Sequence, residues 1–222
     1  MIDNSLLESV ARRGSKPREQ QQLARLDWLQ CALQLFVNEG IDALRITRLA
    51  DELNVTRGSF YWHFDNREDL VEALVTFWQA KNTTGICEPF DQADSLDSGI
   101  LSYFAATIEG ARFDPRLDLA IREWARRDTR IRQLVDSEDR TRIDSIRRFF
   151  QRFGNPMPDA LIRARVLYYS QIGFYALEDR ETLGVRLSHT AAWYRCLTGE
   201  DLDTNTVQDF RREMLQQFGG AG

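Results

Sequence analysis

Apolar residues recur every three or four positions along most of the chain, which is the spacing of an amphipathic α-helix. The first sustained segment begins near residue 23 and ends before Gly40, a residue suited to closing a helix in the left-handed conformation. Its apolar positions are Leu26, Leu29, Leu33 and Phe36. The pattern therefore predicts a first helix that buries this stripe.

Two short helices joined by a tight turn are predicted next. The apolar positions of the first are Ile46, Leu49, Ala50 and Leu53. Asn54-Val55 interrupts this spacing, and Thr56 can cap a second short helix, to about residue 64, whose Phe60 and Phe64 face the same core. The turn is too short for any arrangement except a sharp crossing of the two helices.

The other residues of the second short helix are expected to face largely outward: Arg57, Gly58, Ser59, Tyr61, Trp62 and His63. Aromatic residues at helical spacing often belong to a core, so Tyr61 and Trp62 could instead pack against the neighbouring helices. Exposed beside arginine, they suit a helix end that lies in the major groove of DNA, where such side chains meet phosphates and bases. DNA binding is therefore the first functional hypothesis.

A fourth helix is expected to follow Asp65-Asn66. Asn66 can cap it, and Glu68 and Asp69 suit the positive end of the helix dipole. Its apolar stripe consists of Leu70, Leu74 and Phe77. Residues 82–98 are rich in turn formers and include Pro89, so we expect an irregular connection there before a second domain.

Further helical patterns occupy most of the remaining chain. They lie at about 97–111, 114–127, 129–153, 158–178, 182–198 and 204–218. No strict alternation of apolar and polar residues persists, and Pro and Gly fall near the ends of these patterns. The predicted fold class is therefore all-α.

The charge of the chain does not by itself favour nucleic acid. The formal net charge is −5, and the first 66 residues hold eight Lys or Arg against nine Asp or Glu. The basic residues are nevertheless clustered around the two short helices, at Arg45, Arg48, Arg57 and Arg67. A local basic surface on an acidic protein can bind the DNA backbone, so DNA binding remains compatible with this composition.

Residues 1–21 are polar, contain Gly14 and Pro17, and show no sustained periodicity, which predicts a flexible N-terminal arm. Its basic residues are Arg12, Arg13, Lys16 and Arg18. Such a segment is commonly a solvated tail. The alternative is insertion of Arg12, Arg13 or Arg18 into the minor groove of DNA.

Several other classes of protein are disfavoured. No apolar run approaches the roughly 20 residues of a membrane span, and the N-terminus lacks a signal sequence, so we expect a cytoplasmic protein without a membrane partner. Cys31, Cys87 and Cys196 are widely spaced, and with only His63 and His189 available we expect free thiols and no metal site. No phosphate loop, nucleophile motif or metalloprotease motif is present, which disfavours an enzyme and indicates no cofactor.

The segment ALRITRLADELNVTRGSFYWHFDNREDLVEAL, residues 43–74, closely resembles the DNA-binding domain of tetracycline-repressor-type (TetR family) regulators. The resemblance covers the helix-turn-helix, the Tyr-x-His-Phe ending of its second helix and the Asn-Arg-Glu-x-Leu start of the next one. It implies a DNA-binding domain over residues 22–68 and an all-helical ligand-sensing and dimerisation domain over residues 69–222. It also implies a homodimeric repressor that a small molecule releases from a palindromic operator in double-stranded DNA.

The resemblance also assigns expected DNA contacts. It puts Thr56, Arg57, Gly58 and Ser59 nearest the base edges, and Tyr61, Trp62 and His63 near phosphates or sugars. Thr47 and Arg48 are expected at the DNA backbone or at nearby bases, and Arg67 at a phosphate. Many relatives have Ser or Thr in place of Arg45, so this residue could contact a phosphate instead of capping its helix. Arg57 can donate two parallel hydrogen bonds to guanine, and Gly58 lets the backbone approach the groove.

Sequence alone leaves several of these roles open. Thr56 and Ser59 can cap the helix or bond a base or a phosphate. His63 can contact a phosphate or be satisfied by a carbonyl at a helix end. The alternative function for the whole chain is a helical ligand-binding or adaptor protein that does not bind DNA.

The segment from 160 to 177 is apolar on two faces, although a surface helix needs only one. One stripe is Leu161, Tyr168, Ile172 and Tyr175, and the other is Ile162, Val166, Tyr169 and Gly173. Gly173 could permit close helix approach or be a tolerated irregularity. The additional face must be covered either by its own domain or by a second copy of the chain. Pairing of the first stripe with Leu187, Ala191 and Tyr194 would build a two-fold, four-helix dimer interface.

Aromatic residues of the second domain are the candidates for an effector pocket. They are Trp78, Phe104, Phe113, Trp124, Phe149, Phe150 and Tyr168. The simpler interpretation is that most of them belong to the hydrophobic core. The effector itself is not indicated by any residue pattern.

Overall fold

The computed structural model describes residues 4–12, 24–109, 112–177 and 181–219. Within these ranges the chain is helical and has no β-strand, which confirms the all-α prediction. The α-helices are α1 (Asn4–Arg12), α2 (Arg25–Glu39), α3 (Ile46–Glu52), α4 (Arg57–Phe60), α5 (Arg67–Trp78), α6 (Thr84–Asp91), α7 (Leu96–Glu109), α8 (Pro115–Ala125), α9 (Thr129–Arg152), α10 (Asp159–Ala176), α11 (Leu183–Ser188), α12 (Thr190–Thr198) and α13 (Thr204–Phe218). A 3₁₀ turn (Ile41–Ala43) and a π-helical turn (Gln79–Thr83) complete the list.

The first compact unit comprises Met1–Asn82 and Asp114–Asp136. Its core is built around aromatic residues: the rings of Trp28 and Phe60 meet edge to face at 5.3 Å, and Phe60 stacks on Phe64 at 5.3 Å. Phe60 and Phe64 are both buried, as their spacing predicted. The unit extends past residue 68 because the apolar stripe of α5 is buried in the same core and α8 packs against α2.

Local capping signals also hold in this unit. Gly40 closes α2 with a φ of 84°, and its N–H donates to the carbonyl of Phe36. The side chain of Asn66 caps α5 by accepting a hydrogen bond from the Asp69 N–H at 2.9 Å. These contacts are made within a few residues, which explains why sequence could predict them.

The expectation of an irregular arm is wrong for residues 4–12, which form α1. Leu7 and Val10 of this helix are buried in the first unit, where α1 packs on α2 and α5. The apolar pattern of α1 is too short to be recognised alone, and tertiary packing stabilises the helix. The Arg12 side chain and residues Arg13 and Arg18 lie outside the described part of the chain, so their insertion into the minor groove stays a prediction.

The second unit comprises Thr83–Phe113 and Ser137–Gly222. Its main core contains Phe90, Tyr103 and Phe149, with ring centroids of Phe90 to Tyr103 and Phe149 separated by 5.1 and 4.9 Å. A smaller cluster joins Leu187, Phe210 and Met214. Helix α9 contributes its residues up to Asp136 to the first unit and the rest to the second.

The irregular connection expected over residues 82–98 is also wrong, because Thr84–Asp91 is helical with Pro89 inside the helix. Ile86 and Phe90 are completely buried. At Gly85 an added Cβ would lie 2.0 Å from the Arg112 carbonyl oxygen, so the absence of a side chain permits this approach. Burial of α6 outweighs the local preference of its Gly and Pro residues for turns.

The helix expected over residues 182–198 is divided into α11 and α12 at His189. The Ser188 hydroxyl donates a hydrogen bond of 2.7 Å to the Val185 carbonyl. A serine that bonds to the preceding turn competes with the helical hydrogen bonds, which accounts for an interruption here.

Candidate nucleic-acid interface

Helices α3 and α4 form a helix-turn-helix joined by residues 53–56. Asn54 has a φ of 53°, and the Val55 N–H donates to the Ala50 carbonyl at 2.9 Å. Asparagine is one of the few residues besides glycine that adopt this left-handed conformation readily. The turn therefore has the sharp reversal that the interrupted apolar pattern predicts.

The recognition segment, residues 56–63, presents most of its side chains to solvent. Tyr61 is 54% exposed and Trp62 is 63% exposed. Phe60, the last residue of α4, is fully buried in the core. Thr56, Arg57 and Gly58 are also exposed, and Ser59 and His63 are half-buried. Packing of Tyr61 and Trp62 into the protomer core, the alternative interpretation, does not occur.

Helix α4 is shorter than expected, since it ends at Phe60 and hydrogen-bonded turns continue the chain. The N–H groups of His63 and Phe64 both donate to the Phe60 carbonyl, at 2.9 and 3.0 Å. The side chain of Thr56 makes no cap hydrogen bond. Its hydroxyl is consequently not committed to capping α4.

Arginine residues around the recognition segment differ in their partners. Within the described residues, Arg45 and Arg57 have no carboxylate at ion-pair distance. Arg48, by contrast, contacts Glu52 at 2.9 Å and Glu39 at 3.3 Å. Arg45 and Thr47 are exposed at the start of α3, so both are accessible to a ligand at that helix end.

Arg67 has contacts that differ from the expected phosphate contact. Its Nε donates to the Leu44 carbonyl at 2.5 Å and its Nη2 to the Ile41 carbonyl at 3.0 Å. These bonds join the start of α5 to the 3₁₀ turn before α3. Arg67 thus positions the helix-turn-helix with two of its five N–H donors, and its expected phosphate contact stays a prediction.

Arg25 was not recognised from sequence, yet it supports the end of the recognition segment. Its Nη1 donates to the His63 carbonyl, and its Nη2 lies 3.5 Å from Asp69 Oδ1. The partners are about 40 residues away in the chain, so no local pattern signals this role. Only folding brings α2 beside the start of α5.

Comparison with known proteins agrees with this geometry. Residues 29–74 match the family model described as bacterial regulatory proteins, tetR family. The helix-turn-helix of this chain is therefore of the TetR type. The chain is 33% identical over 60 residues to the HTH-type transcriptional regulator TtgR of Pseudomonas putida, a match that covers 27% of this chain and 29% of TtgR. It is 30% identical over 115 residues to the class C tetracycline repressor protein of Escherichia coli, covering 49% and 52% of the two chains.

The matches to these two curated relatives thus span 29% of TtgR and 52% of the tetracycline repressor. A solved structure resembles more of the chain: SCO4454, a TetR-family transcriptional regulator from Streptomyces coelicolor, has a TM-score of 0.54. This similarity covers 85% of the present chain and 88% of SCO4454 at 19% identity. At that identity it establishes a shared fold.

The second unit contains a cavity of about 90 Å³ that opens to solvent. Its apolar walls come from α7, α10 and α12 and consist of Phe104, Ile108, Leu167, Phe174 and Trp193. Of the seven aromatic residues considered for an effector pocket, Phe104 lines this cavity. The others are buried elsewhere or lie in the first unit.

Five of the other six pocket candidates have clear structural contacts. Trp78 donates to Asp118 at 2.8 Å, and Trp124 meets Phe36 edge to face at 6.0 Å, both within the first unit. The remaining three lie in the second unit: Phe113 stacks on Tyr175, Phe149 packs on Phe90, and the Tyr168 hydroxyl donates to Asp139. Phe150, also considered, is fully buried.

The residues expected at a dimer interface mostly face the interior of their own unit. Tyr168, Leu187 and Tyr194 are buried, and the Tyr175 hydroxyl donates to the Thr107 carbonyl. Leu161, Ile172 and Ala191 are half-buried. The second stripe of α10 is the exposed one, with Ile162, Val166 and Tyr169 exposed by 52, 41 and 55%. The face of α10 that is open to a partner is therefore the second stripe and not the first.

The three cysteines are free, and burial raises the pKa of the Cys31 and Cys87 thiols. Within the described ranges, no group of three or more His, Cys, Asp or Glu side chains could hold a metal ion. In the parts of the chain that the structure describes, no helix has the length and apolar character needed to cross a bilayer.

Proposed function

We propose that this chain is a dimeric transcriptional repressor of the TetR family that binds a palindromic operator and is released from it by a small-molecule effector. The observation that carries the proposal is the exposed recognition segment, in which Arg57, Tyr61 and Trp62 face solvent over a buried Phe60. Large aromatic side chains beside an unpaired arginine suit a polyanionic partner better than water.

In this proposal Arg57 donates to a guanine base edge, and Gly58 allows the backbone to approach the groove. Thr56 and Ser59 bond nearby bases or phosphates, while Tyr61, Trp62 and His63 contact the DNA backbone. Arg45 and Thr47 add phosphate contacts from α3. Arg48 would first exchange its pairing with Glu39 or Glu52 for a phosphate.

The proposed dimer uses the exposed stripe of α10, Ile162, Val166 and Tyr169. Two copies of this face would cover each other and remove apolar surface from water. A two-fold dimer can bind both half-sites of a palindrome if its recognition segments lie about 34–36 Å apart. The domain over residues 69–222 would then combine dimerisation with sensing.

Effector control would follow from a ligand that prefers one dimer conformation. Such a ligand weakens DNA binding only by as much as its affinity differs between the two conformations. The cavity of the second unit is the proposed effector site. Its walls are largely apolar, as those of small-molecule sites are.

Selection of bound sequences from random duplex DNA tests this function. We expect enrichment of a palindrome, bound with an affinity that falls steeply with salt concentration because counterions are released. The control is the same selection with Arg57→Ala and Trp62→Ala combined. Absence of salt-dependent DNA binding by a folded protein would instead favour a ligand-binding protein without DNA binding.

A further inference from the structure

The cavity of the second unit has one face that is suited to aromatic rings. Phe104 of α7, Phe174 of α10 and Trp193 of α12 all line it. Trp193 is 41% exposed, so the cavity is accessible from solvent. Aromatic walls of this kind favour a flat aromatic ligand through stacked or edge-to-face contacts.

The two charged side chains that line the cavity, Arg186 and Glu181, have different neighbours. The guanidinium carbon of Arg186 lies 4.7 Å from the centre of the Phe174 ring. No carboxylate in the described part of the chain lies at ion-pair distance from Arg186. Glu181, which also lines the cavity, has its Oε1 3.6 Å from His189 Nδ1, a contact that pairs its charge when His189 is protonated. With that pair formed, the group left to pair with a ligand is cationic.

A second donor in the wall is also unused. The amide Nε2 of Gln171 is buried and has no hydrogen-bond partner. An unmet buried donor is costly, and most such groups in folded proteins have an acceptor. Gln171 lines the same cavity as Arg186, so a ligand with acceptor oxygens could satisfy both residues.

We propose that this cavity binds a small aromatic carboxylate. The carboxylate pairs with the planar guanidinium of Arg186, a ligand oxygen accepts from Gln171, and the ring lies against Phe104, Phe174 and Trp193. The proposal rests on the proposed function in one respect, because it names the chemical class of the effector. Binding itself does not require DNA.

Calorimetric titration of the full chain without DNA tests the proposal. The probes are 2-naphthoate, neutral 2-naphthamide and cationic 2-naphthylmethylammonium, which share one ring system and differ in charge. We expect 2-naphthoate to bind at least tenfold more tightly than the other two. Equal binding of the three probes, preference for the cation, or no binding of 2-naphthoate would overturn the proposal.

Variants assign the binding to the named groups. Arg186→Gln should weaken 2-naphthoate binding at least tenfold, and Gln171→Leu should weaken it less. Arg195→Gln is the matched control, since Arg195 is exposed on α12, pairs with Asp201 and does not line the cavity. Should Arg186→Gln not fold, Arg186→Lys keeps the charge without the planar fork and is expected to retain part of the affinity. Full affinity in a folded Arg186→Gln protein would contradict the proposal.

A separate DNA-binding assay distinguishes this inference from the proposed function. If 2-naphthoate binds through Arg186 but leaves the operator complex intact, the ligand class is supported and the release mechanism fails. If the protein binds its operator but no naphthoate, the DNA-binding function is supported and the ligand class is wrong.

Discussion

The guanidinium carbon of Arg25 lies 3.9 Å from the centre of the Phe64 ring. The same side chain bonds to the His63 carbonyl and contacts Asp69, so one arginine of α2 holds the junction between the recognition segment and α5. Planar stacking and directed hydrogen bonds together require arginine, and lysine cannot replace both.

Arg25→Met should lower the free energy of unfolding by about 1–2 kcal/mol, because the His63 carbonyl and Asp69 lose a charged donor. Urea denaturation followed by circular dichroism measures this change. Arg126→Met is the control, since the Arg126 side chain is 75% exposed and pairs with exposed Glu123 at 3.3 Å. An equal loss in both variants would contradict the positioning role of Arg25.

Arg57→Ala should reduce the preference for operator over random DNA by about 1–3 kcal/mol, the value of a bidentate contact with a base. Fluorescence anisotropy with operator and scrambled duplexes at equal salt measures the two affinities. Arg212→Ala, on exposed α13, serves as the control for loss of one positive charge. Unchanged discrimination by Arg57→Ala would argue against its assignment to a base.

Asn54→Ala should destabilise the protein by about 1–2 kcal/mol, because alanine resists the positive φ of the turn between α3 and α4. Asn54→Gly should unfold at a temperature near that of the wild type, since glycine adopts this conformation without strain. Differential scanning calorimetry of both variants makes the comparison. Equal melting temperatures for Ala and Gly would show that the turn does not need a left-handed residue.

Asp118→Asn should lower the free energy of unfolding by about 2–3 kcal/mol, as the change removes the charge that faces a half-buried arginine. Asp118 accepts hydrogen bonds from Trp78 at 2.8 Å and from Arg122 at 2.7 Å, and its side chain is 2% exposed. Urea denaturation provides the measurement. Asp209→Asn removes one partner of an exposed pair with Arg212 and is expected to change stability by under about 0.5 kcal/mol.

Val166→Glu combined with Tyr169→Glu should convert a dimer into a monomer, because two like charges would be buried in the proposed interface. Light scattering after size-exclusion chromatography measures the mass. Met157→Glu is the control, since Met157 is 50% exposed but lies before α10, outside the stripe. A dimer that survives the double change would remove this face of α10 from the interface.

Sequence predicted local features well and long-range contacts poorly. The caps at Gly40 and Asn66 and the burial of Phe60 and Phe64 depend on neighbours within one or two helical turns. The hydrogen bonds from Arg67 to carbonyls more than 20 residues earlier were not predicted, because only folding brings these groups together. Pro89 predicted a loop, although burial of the residues around it maintains a helix.

What the sequence determined alone was the helical period, the position of the sharp turn at Asn54 and the identity of the recognition segment, since spacing and capping act between near neighbours in the chain. Tertiary structure decided which stripe of α10 is exposed and which aromatic residues line the cavity. Both stripes have the same period and similar apolar character, so only the packing of partners distant in sequence could distinguish Val166 from Tyr168.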